Sequence, residues 1–364
     1  TRALELDPSF VTVRLRIISR SLVLWDYSEA AKHLADLETQ RERMSPIQRY
    51  QIAAQRAQLG GRYEEALLAF REAARLAPGD VNIAFSLAFY ASLANHHREV
   101  VDIYTGPLDW KTYYERPGMR GFFYFLNLCE SLHLLGEHER ELAIAKQGQA
   151  AHPDVWNAWG LEVTSLAALG RLDEVERAIR DGIGMAPEGV ARAYLLVSTA
   201  WELSVHGHHE LSLKMAVRAA DWCRSRPPDE LKQEAMRCCF GYALYTAERW
   251  DEAQAIFEQL AEEFPKNIEY QGWIGVLAVK KGNREAALRI SEDLRRISRP
   301  YLLGQNTFWR ACIAAQLGEK DRAVEFLRDA LAEGVWPDFN LHQAPGLWPL
   351  LDYAPYADLK KPKG

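Results

Sequence analysis

Cysteine is scarce in this sequence and is placed where it can do little. The five residues are Cys129, Cys223, Cys238, Cys239 and Cys312, an odd number with no C-x-x-C pair. That pattern argues against a disulfide framework and for a reduced chain, which points to the cytoplasm. An excess of positive charge is also missing. Lys plus Arg is 44 against 50 for Asp plus Glu, a formal net charge of −6. Proteins that neutralise phosphates show the opposite balance, so no nucleic-acid partner is expected. No apolar run approaches the roughly 18 residues a membrane-spanning helix needs, so no membrane insertion is expected. The signatures of nucleotide chemistry are absent too. "GIGMAPEG" (182–189) has the wrong spacing for a phosphate-binding glycine loop, Asp338-Phe339 is followed by Asn340, and no G-K-[ST] occurs. No nucleophile–base arrangement stands out. The expectation is a chain with no catalytic residues and no cofactor.

The chain does carry a repeat. Residues 59–78 read "LGGRYEEALLAFREAARLAP", 135–153 "LGEHERELAIAKQGQAAHP" and 169–187 "LGRLDEVERAIRDGIGMAP". In each a Gly precedes a Pro by 17 residues: Gly61 to Pro78, Gly136 to Pro153, Gly170 to Pro187. Glu248 to Pro265 keeps the interval, and Gly282 to Pro300 lengthens it by one. The Gly suits a tight turn between antiparallel helices, and the Pro ends the second helix.

These segments resemble the second helices of tetratricopeptide repeats. Residues 61–78 match that family's pattern at Gly61, Tyr63, Ala66, Phe70, Ala73 and Pro78. Taking the turn residue as a ruler places units at Asp26 (give or take one), Gly61, Asn95, Gly136, Gly170, Gly207, Glu248, Gly282 and Gly318. The family period is about 34 residues, so the longer steps imply insertions near 105–118 and 225–230. The resemblance implies an all-α fold, a right-handed superhelical solenoid of about nine helix pairs. Residues 9–335 form the solenoid, 336–364 a C-terminal cap and tail, and 1–8 the second helix of a truncated repeat, with Pro8 aligned on Pro78. On that alignment the chain is expected to be cut from a longer protein. The closing segment and "RERMSPIQRYQIAAQRAQLGG" also resemble repeat regions attached to bacterial serine/threonine protein kinases and, less often, to transcription regulators. The implied role is a non-catalytic protein- or peptide-binding scaffold, the sensory region of a larger bacterial regulator. An extracytoplasmic part of a membrane-anchored kinase is the alternative location.

In this family the second, fifth, ninth and twelfth positions of each unit face the concave groove. Residues 47–59, "IQRYQIAAQRAQL", put Gln48, Gln51, Gln55 and Gln58 there, a stripe of neutral amides able to clamp a peptide backbone. The same count elsewhere gives Asn82, Phe85 and Phe89; Phe123, Glu130 and His133; Asn157; Tyr194 and Trp201; Tyr242 and Tyr245. Solvated wall residues and core aromatics are the plainer alternatives. "HGHHE" (206–210) offers His206, His208 and His209 as weak metal candidates, although histidines in a turn are more simply solvated, and no metal is expected. A metal-dependent enzyme built on that cluster, a helical-repeat RNA binder and an oligomerisation module are the rival functions. Self-association through the open N-terminal repeat is a further expectation.

Overall fold

The computed structural model describes residues 2–7, 10–185, 189–337 and 339–364. Pro8, Pro187 and Asp338, which enter the sequence argument, lie outside them. The described residues form helices and connecting turns, with no strand among them. After a short helix at Arg2–Leu6 come nine helix pairs. Units 1 to 3 are Val11–Val23 with Tyr27–Glu38, Pro46–Leu59 with Tyr63–Leu76, and Val81–Leu93 with His97–Thr105. Units 4 to 6 are Met119–Leu134 with His138–Ala151, Asn157–Ala168 with Leu172–Met185, and Val190–Val205 with His209–Arg224. Units 7 to 9 are Glu234–Thr246 with Trp250–Glu263, Ile268–Lys280 with Arg284–Arg296, and Gln305–Gln316 with Lys320–Glu333. No helix among the described residues is long and apolar enough to cross a membrane.

Each pair is joined by the same device. One residue enters the left-handed region, and the next amide donates back to a carbonyl five residues earlier. Arg62 N donates to Ala57 O at 2.8 Å, His96 N to Ala91 O at 2.8 Å, and Asn283 N to Ala278 O at 2.8 Å. This satisfies a carbonyl that the helix end leaves unpaired. Glycine serves at 61, 136, 170, 207, 282 and 318, while Trp25, Asn95 and Glu248 take positive φ without the freedom of a glycine. Within units, spacing of three and four builds the apolar face. On Tyr63–Leu76 the buried residues are Tyr63, Ala66, Leu67, Phe70 and Ala73. The longer connections are short packed helices. Lys111–Tyr114 buries Tyr113 beside Trp110 and Phe85, and Pro228–Leu231 follows unit 6.

The solenoid closes on itself. Gly334, at the end of unit 9, meets the turn of unit 2: a Cβ added to Gly61 would lie 2.6 Å from the Gly334 Cα. Tyr63 donates its hydroxyl hydrogen to Gly334 O at 2.7 Å. Trp25 stacks on Trp336 with ring centroids 5.1 Å apart, and Tyr27 lies 5.8 Å from Tyr301. The segment after Gly334 then turns inward. Gly346 sits against Cys312, with Leu347, Leu350 and Tyr356 buried in the core that includes unit 9. It ends on unit 3, where Asn95 donates to Lys361 O at 3.0 Å and Lys363 N donates to Asn95 O at 2.8 Å. The tail therefore covers the last helix pair and also spans the ring.

Candidate functional site

Units 6 to 9, the tail and the interhelix turn of unit 1 line a cavity of about 1280 Å³. First helices supply its aromatic wall: Tyr194 and Trp201 from unit 6, Tyr242 from unit 7, Trp273 from unit 8, Phe308 and Trp309 from unit 9. The aromatics hold one another in place. Trp201 and Tyr242 lie 5.3 Å apart, Tyr242 and Trp273 5.4 Å, Trp273 and Trp309 5.4 Å. Trp201 Nε1 donates to Thr246 Oγ1 at 3.0 Å. Among the wall residues, Tyr194 is half-exposed. At the polar end, Glu269 accepts from the Tyr242 hydroxyl and lies 3.4 Å from Trp273 Nε1. Burial raises the Glu269 carboxyl above its ordinary pKa, and that outweighs the hydrogen bonds from Tyr242 and Trp273. The wall is thus a run of rings in tilted mutual contact, with a buried carboxyl at one side.

The residues counted as groove-facing divide by what lies in front of them. Tyr194, Trp201 and Tyr242 reach the cavity. Tyr245 does not: it is buried edge-on against Trp273. The glutamine stripe is partly internal. Gln55 is buried and donates to Leu15 O at 3.2 Å and Ser19 Oγ at 2.7 Å in unit 1, and buried Gln58 accepts from the Tyr90 hydroxyl at 2.9 Å. Gln48 closes a capping box with Ser45, its side chain accepting from Ser45 N while its own amide donates to Ser45 Oγ. Gln51 is half-buried. The positional count fixes which side of a helix a residue occupies. It ignores that first helices of adjacent units touch along that side, so Gln55 and Gln58 are corrected from a ligand-facing wall to a seam between units. Asn82 is exposed and accepts from Arg116 at 2.9 Å; Phe85 stacks on Tyr113 and Phe89 meets Tyr90 edge-on. Phe123 is exposed, whereas Glu130 and Asn157 are half-buried.

His133 is likewise corrected. It is buried, and its Nδ1 lies 3.0 Å from Glu141 Oε2. Its Nε2 lies 3.1 Å from Glu202 Oε1 and 3.2 Å from His342 Nε2. His206 Nε2 lies 2.8 Å from Glu202 Oε1. Burial alone would lower the His133 pKa, but Glu202 and Glu141 outweigh it and raise it. Burial pulls Glu202 upward while His133 and its neighbours hold it well below the usual carboxylate range. The "HGHHE" histidines separate. His206 joins this cluster, His208 lies over Gly170, and His209 Nδ1 sits 3.5 Å from Ser204 Oγ. Glu202, Glu141 and His342 had escaped the sequence reading, although Glu202 and His206 carry an i, i+4 spacing that puts both on one helix face. His133, Glu202, His206 and His342 could hold a metal ion. The cysteines are all free, and burial pushes the Cys238 and Cys239 thiols up to about 11 and about 12.

Residues 240–267, unit 7 and its closing Pro265, match a tetratricopeptide repeat family model. No curated protein matches the sequence. Three solved structures are similar. A tetratricopeptide repeat protein from Parabacteroides merdae is 14% identical over 80% of this chain and 94% of its own, with a TM-score of 0.41. A Rap protein complexed with competence and sporulation factor is 10% identical over 89% and 97%, with a TM-score of 0.40. Yeast Tom70 is 13% identical over 97% and 87%, with a TM-score of 0.37. With nine helix pairs and nine left-handed turns at the repeat spacing among the described residues, and a family match over unit 7, the chain is an all-α repeat solenoid similar to tetratricopeptide repeats.

Proposed function

We propose that this chain is a non-catalytic binding scaffold that takes an extended protein segment, anchored by an aromatic or aliphatic side chain, into the central cavity. The observation that carries this reading is the aromatic wall of Tyr194, Trp201, Tyr242 and Trp273 around about 1280 Å³, in which Trp201, Tyr242 and Trp273 contact one another at tilted angles. Pockets for small molecules usually measure about 300–1,000 Å³, so the space suits a peptide segment better than a metabolite. Aromatic side chains offer large contact area at low entropy cost and dominate binding energetics. Five free thiols fit a reducing compartment. The finer reading, the interaction region of a larger bacterial regulator associated with a kinase, rests on the resemblance of residues 41–61 and the closing segment to such regions.

The test is a display screen of extended peptides against the whole chain, followed by Tyr194→Ala and Trp201→Ala. Loss of an anchoring aromatic contact is expected to cost about 2 kcal/mol or more, on the order of 30-fold in affinity. Glu64→Ala, on an outer helix, should leave binding unchanged. Peptides that bind both aromatic variants as tightly as the parent would remove the cavity from the mechanism.

A further inference from the structure

We propose that His133, Glu202, His206 and His342 form a tetrahedral site for one divalent transition-metal ion, zinc above all, and that the ion fastens the C-terminal tail to the repeats. The argument begins with where the ligands come from. His133 ends the first helix of unit 4, Glu202 and His206 lie at the end of the first helix of unit 6, and His342 stands on the tail helix Phe339–Gln343. Three imidazole Nε2 atoms and one carboxylate oxygen from these distant segments lie within 4.8 Å of one another.

The separations fit a metal. Zinc bonds to nitrogen and oxygen of about 2.0–2.1 Å set tetrahedral ligand atoms about 3.3 Å apart. Four of the six edges here measure 2.8 Å (His206–Glu202), 3.1 Å (His133–Glu202), 3.2 Å (His133–His342) and 3.6 Å (His342–Glu202). Hydrogen bonding explains the cluster less well. Glu202 Oε1 and His206 Nε2 are buried and lack a hydrogen-bond partner although they approach to 2.8 Å, because the approach has the wrong direction for a bond. A cation between the ligand atoms satisfies all of them at once. Imidazole with carboxylate, and no thiolate or carbonyl, is the donor set of zinc and its first-row neighbours rather than of calcium or magnesium.

The surroundings are those of a supported site. Ligating histidines usually bind a carboxylate through the other ring nitrogen, which fixes the ring. His133 Nδ1 lies 3.0 Å from Glu141 Oε2, which His138 also contacts at 3.2 Å. Gln343, the residue after His342, donates to Glu202 Oε2 at 2.5 Å and so turns Oε1 toward the three rings. His206 and His342 are only partly covered, which leaves an entry path. The rival arrangement is a protonated His133 bridging Glu141 and Glu202 with no metal.

The experiment uses the whole chain, stripped with a chelator, given zinc or cobalt(II), and desalted. Expected are one zinc per chain by mass spectrometry, the visible absorption of tetrahedral cobalt(II), a higher melting temperature with zinc, and slower tryptic cleavage after Lys360. His206→Ala and His342→Gln should each lose the bound zinc. Glu141→Gln should weaken it about 10–100-fold. The double change His208→Ala with His209→Ala, in the same turn but outside the cluster, should retain one zinc. Should His206→Ala fail to fold, His342→Gln reads the same site from the tail. A folded parent chain that holds no zinc and shows no thermal shift would overturn the proposal and leave the protonated bridge. Retention of one zinc by both single-ligand variants would overturn it as well.

Discussion

The two ends of this solenoid are built from the same helix pair and are held very differently. In unit 1, Leu15, Ile18, Leu22, Ala30, Leu34 and Leu37 form a small cluster of their own, joined by Met44 and Ile52 at the entry to unit 2. From Leu142 to Tyr356 one continuous buried cluster runs through six units, 4 to 9, and into the tail. Five large apolar side chains stand exposed within the first 25 residues: Leu6, Phe10, Val23, Leu24 and Trp25. In a repeat array each unit is stabilised mainly by its neighbours. A unit with one core-forming neighbour should therefore open at lower free energy than one packed on both sides. Among the described residues, the first unit gains a second attachment where Trp25 and Tyr27 meet Trp336 and Tyr301.

The largest expected effect is loss of the tail. Removing 336–364 uncovers Cys312 and the face of unit 9, and it deletes Trp336, the stacking partner of Trp25. A few hundred Å² of apolar surface at about 25 cal/mol per Å² is worth several kcal/mol. Thermal melting should drop clearly or give way to aggregation, and hydrogen exchange should rise in both unit 9 and unit 1. Protection that stayed unchanged in unit 1 would mean that ring closure contributes nothing to it.

The same substitution in the two cores tests the comparison directly. Leu22→Ala and Leu260→Ala each empty a buried site, at a local cost of about 2–5 kcal/mol. Leu260→Ala should lower the main unfolding transition. Leu22→Ala should leave that transition in place and expose residues 11–38 to exchange. Equal shifts of a single transition would show that the chain unfolds as one block.

Acid should also act on one side of the molecule first. His97 in unit 3 is buried, and burial, with His96 adding, lowers its pKa to about 4 from the ordinary 6.5. Its Nδ1 lies 3.2 Å from the neutral Ser131 Oγ, and its Nε2 has no hydrogen-bond partner. The unfolded chain binds the proton more readily. Stability from this residue is therefore complete above about pH 6.5 and falls as pH drops toward 4, by about 3 kcal/mol at most. His97→Gln should flatten that limb of a stability–pH curve measured by urea unfolding. A curve of the same slope would assign the acid sensitivity elsewhere.

The smallest effect belongs to the closure hydrogen bond. Tyr63→Phe removes the donor to Gly334 O and keeps the ring. The cost should be about 0.5–1.5 kcal/mol, visible as a modest loss of exchange protection at unit 2 and Gly334 while the large core is unaffected.

Local chemistry made the repeats legible. A left-handed turn followed by a backward amide bond favours Gly or Asn, and it recurs at a fixed interval. The ruler therefore reached even Glu248, and it found the first turn within one residue, at Trp25 rather than Asp26. The aromatic wall was legible through Tyr194, Trp201 and Tyr242, since position within a helix is a local property. What escaped depends on superhelix pitch. Nothing near Gly61 announces Gly334, and nothing near His133 announces His342. Gln55 was misjudged for a related reason: its neighbour across the seam, Leu15, is set by how two units abut. Ser45 and Gln48 show the reverse case, a capping box written in four consecutive residues.

Closure at Gly61 and Gly334 has a consequence for descent as well as for stability. Open arrays of this kind can be lengthened or shortened by whole units, since each added unit repeats the same contact. Here the backbones of units 2 and 9 touch so closely that a methyl group on Gly334 would meet the Gly61 Cα at 2.8 Å. Duplicating a unit would carry Gly334 past its partner and take Trp336 and His342 out of reach of Trp25 and His133. The circumference sets the number of units, so sequence drift can adjust loops within this chain but cannot change its repeat count without opening the ring.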